Sequence, residues 1–135
     1  MYSKKLKTIV QLSIVVCLIA FASCKKLELR FFQITVDSMS FPDTAFCAPD
    51  SVAFHVYGYI GPNNCYQFFD INFYLLENND VVIEAVGEKT KNKGCGGGDS
   101  LLDRTFYCIF ETPGVYTFYD INKTNIELGK IVVLP

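Results

Sequence analysis

Apolar and polar side chains alternate with a period of two along most of this chain beyond residue 30, and that pattern limits the chain to strands. In "SVAFHVYGYIG", Val52, Phe54 and Val56 alternate with Ala53, His55 and Tyr57. In "QFFDINFYLLE", Phe69, Ile71, Phe73 and Leu75 alternate with Asp70, Asn72 and Tyr74. Successive side chains of a strand point to opposite faces, so each run offers one face to a core. "LRFFQITVDSM", "DVVIEAVGE", "LLDRTFYCIF", "GVYTFYDI" and "IELGKIVVLP" are further β-rich runs, separated by clusters of Gly, Pro, Asn and Asp that favour turns. No stretch beyond residue 23 keeps a helical period.

The first residues follow a different logic. Lys4, Lys5 and Lys7 precede a mostly apolar run from Ile9 to Phe21, and the small pair Ala22–Ser23 then leads to Cys24. A basic start, a short apolar run and a small-residue cleavage site make an export signal. The run falls short of the ~20 residues that span a bilayer. "FASC" resembles the bacterial lipobox, in which a small residue precedes a cysteine that is acylated on sulfur and becomes the new N-terminus. Cys17 follows Val15 and Val16, which are too large for that cleavage. The resemblance implies a signal peptide over 1–23, a lipid-modified Cys24 and a short tether over 24–30. Acyl chains there, at ~0.8 kcal/mol per buried methylene, would hold the chain on a membrane.

Residues 31–135 have the size of one domain. Of the 12 Lys and Arg, three leave with the signal, so 9 bases stand against 14 acids and the balance is about −5. Nucleic acid is a poor partner for such a surface, because neutralising phosphates needs a basic face. The chain holds 12 Phe and 8 Tyr, and all but Phe21 and Tyr2 lie in the domain, where they supply core. Seven β-rich runs, lettered A to G, predict an all-β, immunoglobulin-like antiparallel β-sandwich. "TPGVYTF" places Tyr116 at the start of the sixth run. There its hydroxyl either bonds back across the corner or sits on an ordinary half-buried strand residue.

Cys47, Cys65, Cys95 and Cys108 remain, at separations of 18, 30 and 13, with no C-x-x-C pair and one histidine in the chain. That is a poor supply of zinc ligands, and export makes disulfides the default. Four cysteines allow three connectivities. In an up-and-down succession, Cys47 and Cys108 fall at one end, and Cys65 and Cys95 at the other. A strand of roughly 8 residues spans about 26 Å, whereas a bridge needs Cα atoms within about 7 Å. Cys47–Cys108 and Cys65–Cys95 are therefore the expected bridges, as long as the strand count holds.

Reactive constellations are scarce. His55 is the only imidazole and lies mid-run among aromatics. The carboxylates are scattered, and no Gly-x-Ser-x-Gly elbow occurs. The expectation is a protein without catalytic residues, metal or cofactor. "GPNNCY" and "KGCGGGD" make Pro62, Asn63, Asn64, Gly96, Gly97 and Gly98 the candidate binding loops. The glycines read either as an anion nest or as a loop pinned by Cys95. "DINKTN" begins like a calcium loop but lacks the glycine and the final glutamate of one.

"DSM", "DTA", "DSV" and "DSL" resemble the Asp–Ser/Thr–aliphatic sites O-glycosylated in exported Bacteroidota proteins, which nominates Ser38, Thr44, Ser51 and Ser100. Together "FASC", "GYIGPNNCYQF", the glycine-rich cysteine loop and "PGVYTF" resemble small Bacteroidota lipoproteins. That resemblance implies an immunoglobulin-like domain in the cell envelope, anchored through lipid in the outer membrane, with the periplasmic face slightly favoured. The expected role is a non-catalytic binding or structural module whose partner is an envelope protein or glycan. An alternative is a protease inhibitor similar to chagasin, which inserts its B–C, D–E and F–G loops into a protease cleft, although "INKTNIEL" lacks the aromatic motif of that family.

Overall fold

The computed structural model describes residues 28–41, 45–91 and 94–135. They form eight strands: β1 (Leu29–Ser40), β2 (Ala45–Cys47), β3 (Ser51–Gly61), β4 (Tyr66–Leu75), β5 (Asp80–Thr90), β6 (Ser100–Ile109), β7 (Gly114–Asp120) and β8 (Lys123–Leu134). One sheet in the order β2-β8-β7-β5-β1-β3-β6, with β4 on β5, curls into two facing layers. The class is the expected one, an all-β sandwich type. β1 joins the layers, because Leu29–Ile34 pair with β5 whereas Thr35–Ser40 pair with β3. A bulge at Asp37, between Val36 and Ser38, turns the strand where it changes layer. Gly58 makes that approach possible, since a Cβ there would lie 2.6 Å from the Thr35 carbonyl oxygen.

Three details differ from the sequence expectation. The eighth strand is β2, three residues long and too short to show a period. Two pairings are parallel, β2 on β8 and β5 on β7. β6 lies in the other layer, so the chain returns from it into β7 running the same way as β5. β1 also begins at Leu29, inside the segment read as tether.

The alternation holds on β3, where Val52, Phe54 and Val56 are all buried. On β4 it breaks. Phe68 stands opposite Gly87 and Asp70 opposite Val86, which leaves Phe69 as the extra residue of a bulge. Phe68 takes the inward position, 5.7 Å from the Phe106 ring, and Phe69 is 54% exposed. Tyr116 is buried at the β6–β7 corner and donates its hydroxyl proton to the Thr112 carbonyl at 2.8 Å, the corner bond raised by the sequence.

β7 carries a carboxylate into the interior. Asp120 continues the inward face of Tyr116 and Phe118, is 0% exposed, and neither carboxylate oxygen has a hydrogen-bond partner of good geometry. It sits where β1 leaves the β5 edge and β7 joins it. Burial pushes its carboxyl above the usual carboxylate range, and the nearby Asn122 and Val36 amides pull only partly the other way. A folded pKa above the unfolded one means that stability is greatest below the unfolded value and falls as pH rises through the folded one. Asp120→Asn, which mimics the protonated acid, is expected to stabilise the domain by about 1 kcal/mol at neutral pH. Thermal melts from pH 3 to 8 check this, since the gain should vanish at the acid end.

Candidate functional site

The loops nominated from sequence lie together. The β3–β4 and β5–β6 connections meet through a Cys65–Cys95 disulfide with Cα atoms 5.3 Å apart. Asn64 accepts the Gly96 N–H on its side-chain oxygen at 3.0 Å and donates its own N–H to the Gly96 carbonyl at 3.3 Å. Asn63 accepts the Cys65 N–H at 3.1 Å, and the Cys65 carbonyl accepts the Thr90 N–H at 3.0 Å. Gly94 and Gly97 have φ of 114° and 93°, which glycine adopts without strain. These loops satisfy one another: Asn64 already uses the Gly96 N–H that an anion nest would present. Pro62 and Gly96–Gly98 are solvent-facing, and nothing lies within 4 Å of where a Cβ of Gly96 or Gly98 would be.

The third loop stays away. The β7–β8 turn donates the Ile121 N–H to the Ile83 carbonyl at 2.9 Å, level with the middle of β5. From there to Thr90 is about 23 Å of strand. β1 occupies the rest of that β5 edge, so the three loops do not form the wedge that an inhibitor similar to chagasin inserts.

The second expected bridge, Cys47–Cys108, is not formed, and both residues are free thiols. The two cysteines belong to strands that turn them to different faces. On β2, Phe46 packs against the core and Cys47 is exposed on the other side. Cys108 packs between the layers, where burial raises its thiol pKa and keeps it protonated.

His55 lies on the outer face of β3, with Nδ1 2.8 Å from the Thr105 hydroxyl and Nε2 against the Asp103 carboxylate. Both ring nitrogens are occupied, and Asp103 is two-thirds exposed, so the group joins β3 to β6 across an open surface. Among the described residues no cluster of His, Cys, Asp and Glu could hold a metal ion. Ser38 and Ser51 are exposed, and Ser100 is half-buried opposite Gly61. Cys24 and Thr44 lie outside the described residues.

A cavity of about 390 Å³ opens at the end opposite the disulfide, between the end of β4, the start of β5 and the β6–β7 corner. Phe73, Val81, Cys108, Phe110 and Tyr116 line it, and Glu111 is on its rim. The chain matches no protein-family model, curated protein or solved structure. The cavity's volume lies within the ~300–1,000 Å³ of small-molecule sites, and the lining suits an apolar group with one polar end. Sequence reading missed this cavity because four separate chain segments build it.

Proposed function

We propose that this chain is a lipid-anchored cell-envelope protein, held through an acylated Cys24, that acts as a non-catalytic binding or structural module. The Cys65–Cys95 disulfide is the observation that carries the reading. Such bridges persist in oxidising compartments, the destination of a chain with an export signal. The rest of the geometry agrees with a module. The polar atoms of the paired loops are spent on each other, His55 is held at both nitrogens, and the cavity is apolar with a protonated thiol. The apolar cavity at the end far from the disulfide is the part of the surface suited to a ligand or to the side chain of an envelope partner. The outer membrane, with the domain on its periplasmic face, is the proposed location.

Metabolic labelling with palmitate tests the anchor. The wild-type chain should take up label and sediment with membranes, while Cys24→Ala should be unlabelled and soluble after cell lysis. An unlabelled wild-type chain overturns the reading.

A further inference from the structure

Glu28, four residues after Cys24, lies at the same end of the domain as the disulfide. Leu29 pairs with Thr90, the last residue of β5, and the Glu28 carbonyl accepts the Lys91 N–H at 3.2 Å. The Glu28 carboxylate also meets Lys91 Nζ at 2.8 Å, so the point where the chain enters the sheet is fixed at both backbone and side chain. Thr90 in turn is bonded to Cys65. Cys24 precedes Glu28 by four residues, and a fully extended chain of that length covers at most about 14 Å. Headgroups occupy roughly 5–8 Å of each leaflet. A domain tethered this closely cannot hold its disulfide end far from the lipid.

That end carries an uncovered apolar patch. Leu29 is 43% exposed, Phe31 57% and Phe69 54%. Phe31 lies on β1, the strand from which the tether leaves, and its ring meets the Phe69 ring edge-on at 4.8 Å across the outer face of β5. The β4 bulge that turns Phe69 outward places it in this patch. Lone exposed apolar residues are ordinary, whereas two aromatic rings in contact form a small patch, and next to the proposed anchor the lipid interface is the nearest place to bury it. Glu88, opposite Phe31 on β5, and Asp70, next to Phe69, are carboxylates, while Lys89 turns to the other face with its Nζ 4.6 Å from the Tyr66 ring. Apolar burial and not charge attraction therefore carries the contact.

We infer that the Leu29–Phe31–Phe69 patch rests in the lipid interface, fixing the domain with its disulfide-linked loops against the headgroups and its apolar cavity facing away from the membrane. The inference rests on the lipid-anchor reading and adds to it an orientation. It makes Pro62–Asn64 and Gly96–Gly98 membrane-facing, and it leaves the opposite end free for a ligand or partner.

The chain contains no tryptophan, so a single substitution provides a unique reporter. The palmitate-labelled full-length protein, carrying Phe69→Trp or Phe31→Trp, is reconstituted into phosphatidylethanolamine–phosphatidylglycerol vesicles with and without brominated acyl chains. Tyr107→Trp is the control: Tyr107 is 70% exposed, near the other end of β6. Blue-shifted emission at positions 69 and 31, quenched by brominated lipid, with the position-107 emission unquenched, is the expected result. Labelled protein that floats with vesicles while the reporters at positions 69 and 31 stay unquenched overturns the orientation and leaves the anchor standing. Unlabelled protein removes the anchor and the orientation together.

Discussion

Replacing Cys65 and Cys95 together by alanine is expected to cost the domain about 3–4 kcal/mol, the loop-closure entropy of a bridge across some 30 residues. For a domain of this size that corresponds to a fall in melting temperature of about 12–25 °C. The bridge closes the two connections at one end of the sandwich, and the Asn64–Gly96 and Thr90–Cys65 hydrogen bonds form across it. Without the bridge, those bonds must hold a glycine-rich segment whose unfolded state gains more freedom than any other composition allows. Circular dichroism melts of the double variant and of the parent, with and without reductant, measure the effect, and reductant should move only the parent. Cys47→Ser should leave the melt unchanged, since that thiol is exposed and free. Thiol titration of the unfolded, unreduced domain should then find Cys47 and Cys108 reactive. A finding of no free thiol there would restore the second bridge and contradict the facing described for Cys47.

What the sequence showed of this fold and what it hid divide along a physical line. Strand positions were legible because period two is imposed locally: Val52, Phe54 and Val56 needed only their own neighbours to be read as inward. The Phe68–Phe69 pair was ambiguous, because either ring can satisfy the core and the bulge that decides depends on how β5 sits alongside. The crossing of β1 between layers shows in the hydrophobic pattern only as a slipped period, with Phe32, Ile34 and Val36 inward before the bulge and Met39 inward after it. Such a slip does not reveal that the strand changes partner. Cysteine parity found the correct ends of the molecule, which is why Cys65–Cys95 was legible. It could not see that β2 turns Cys47 outward while β6 turns Cys108 inward. Asp120 was in plain view on the inward face of its run. A carboxylate there contradicts local preference, and only the junction of β1, β5 and β7 makes a place for it. The cavity and the aromatic patch depend on residues distant in the chain, so no local reading could have placed them.

Phe54→Ala should be the most damaging single substitution in the core, costing about 3–5 kcal/mol. Phe54 is 1% exposed, and its ring centroid lies 6.0 Å from Phe41, 5.1 Å from Phe73, 6.4 Å from Phe106 and 5.8 Å from Phe118. Those four rings come from the chain after β1 and from β4, β6 and β7, so Phe54 on β3 is where both layers meet. Its removal leaves a hole edged by large planar side chains on separate strands. None can move in without leaving its own contacts, and a site that cannot collapse loses cavity energy as well as transfer energy. Phe54→Leu keeps most of the volume and should cost well under half as much, whereas Phe31→Ala, on the exposed patch, should change stability by less than about 0.5 kcal/mol. Urea titrations distinguish these outcomes: the Phe54→Ala midpoint falls with its slope unchanged if the native state keeps its compactness. Against the roughly 5–15 kcal/mol that holds a domain of this kind together, that loss and the loss of the disulfide would in sum leave little folded protein. The two variants act on different states, the core change on the folded chain and the disulfide change on the unfolded one. Their combination should therefore be close to additive, and a clear departure from additivity would mean that the aromatic core is already partly assembled in the unfolded, bridged chain.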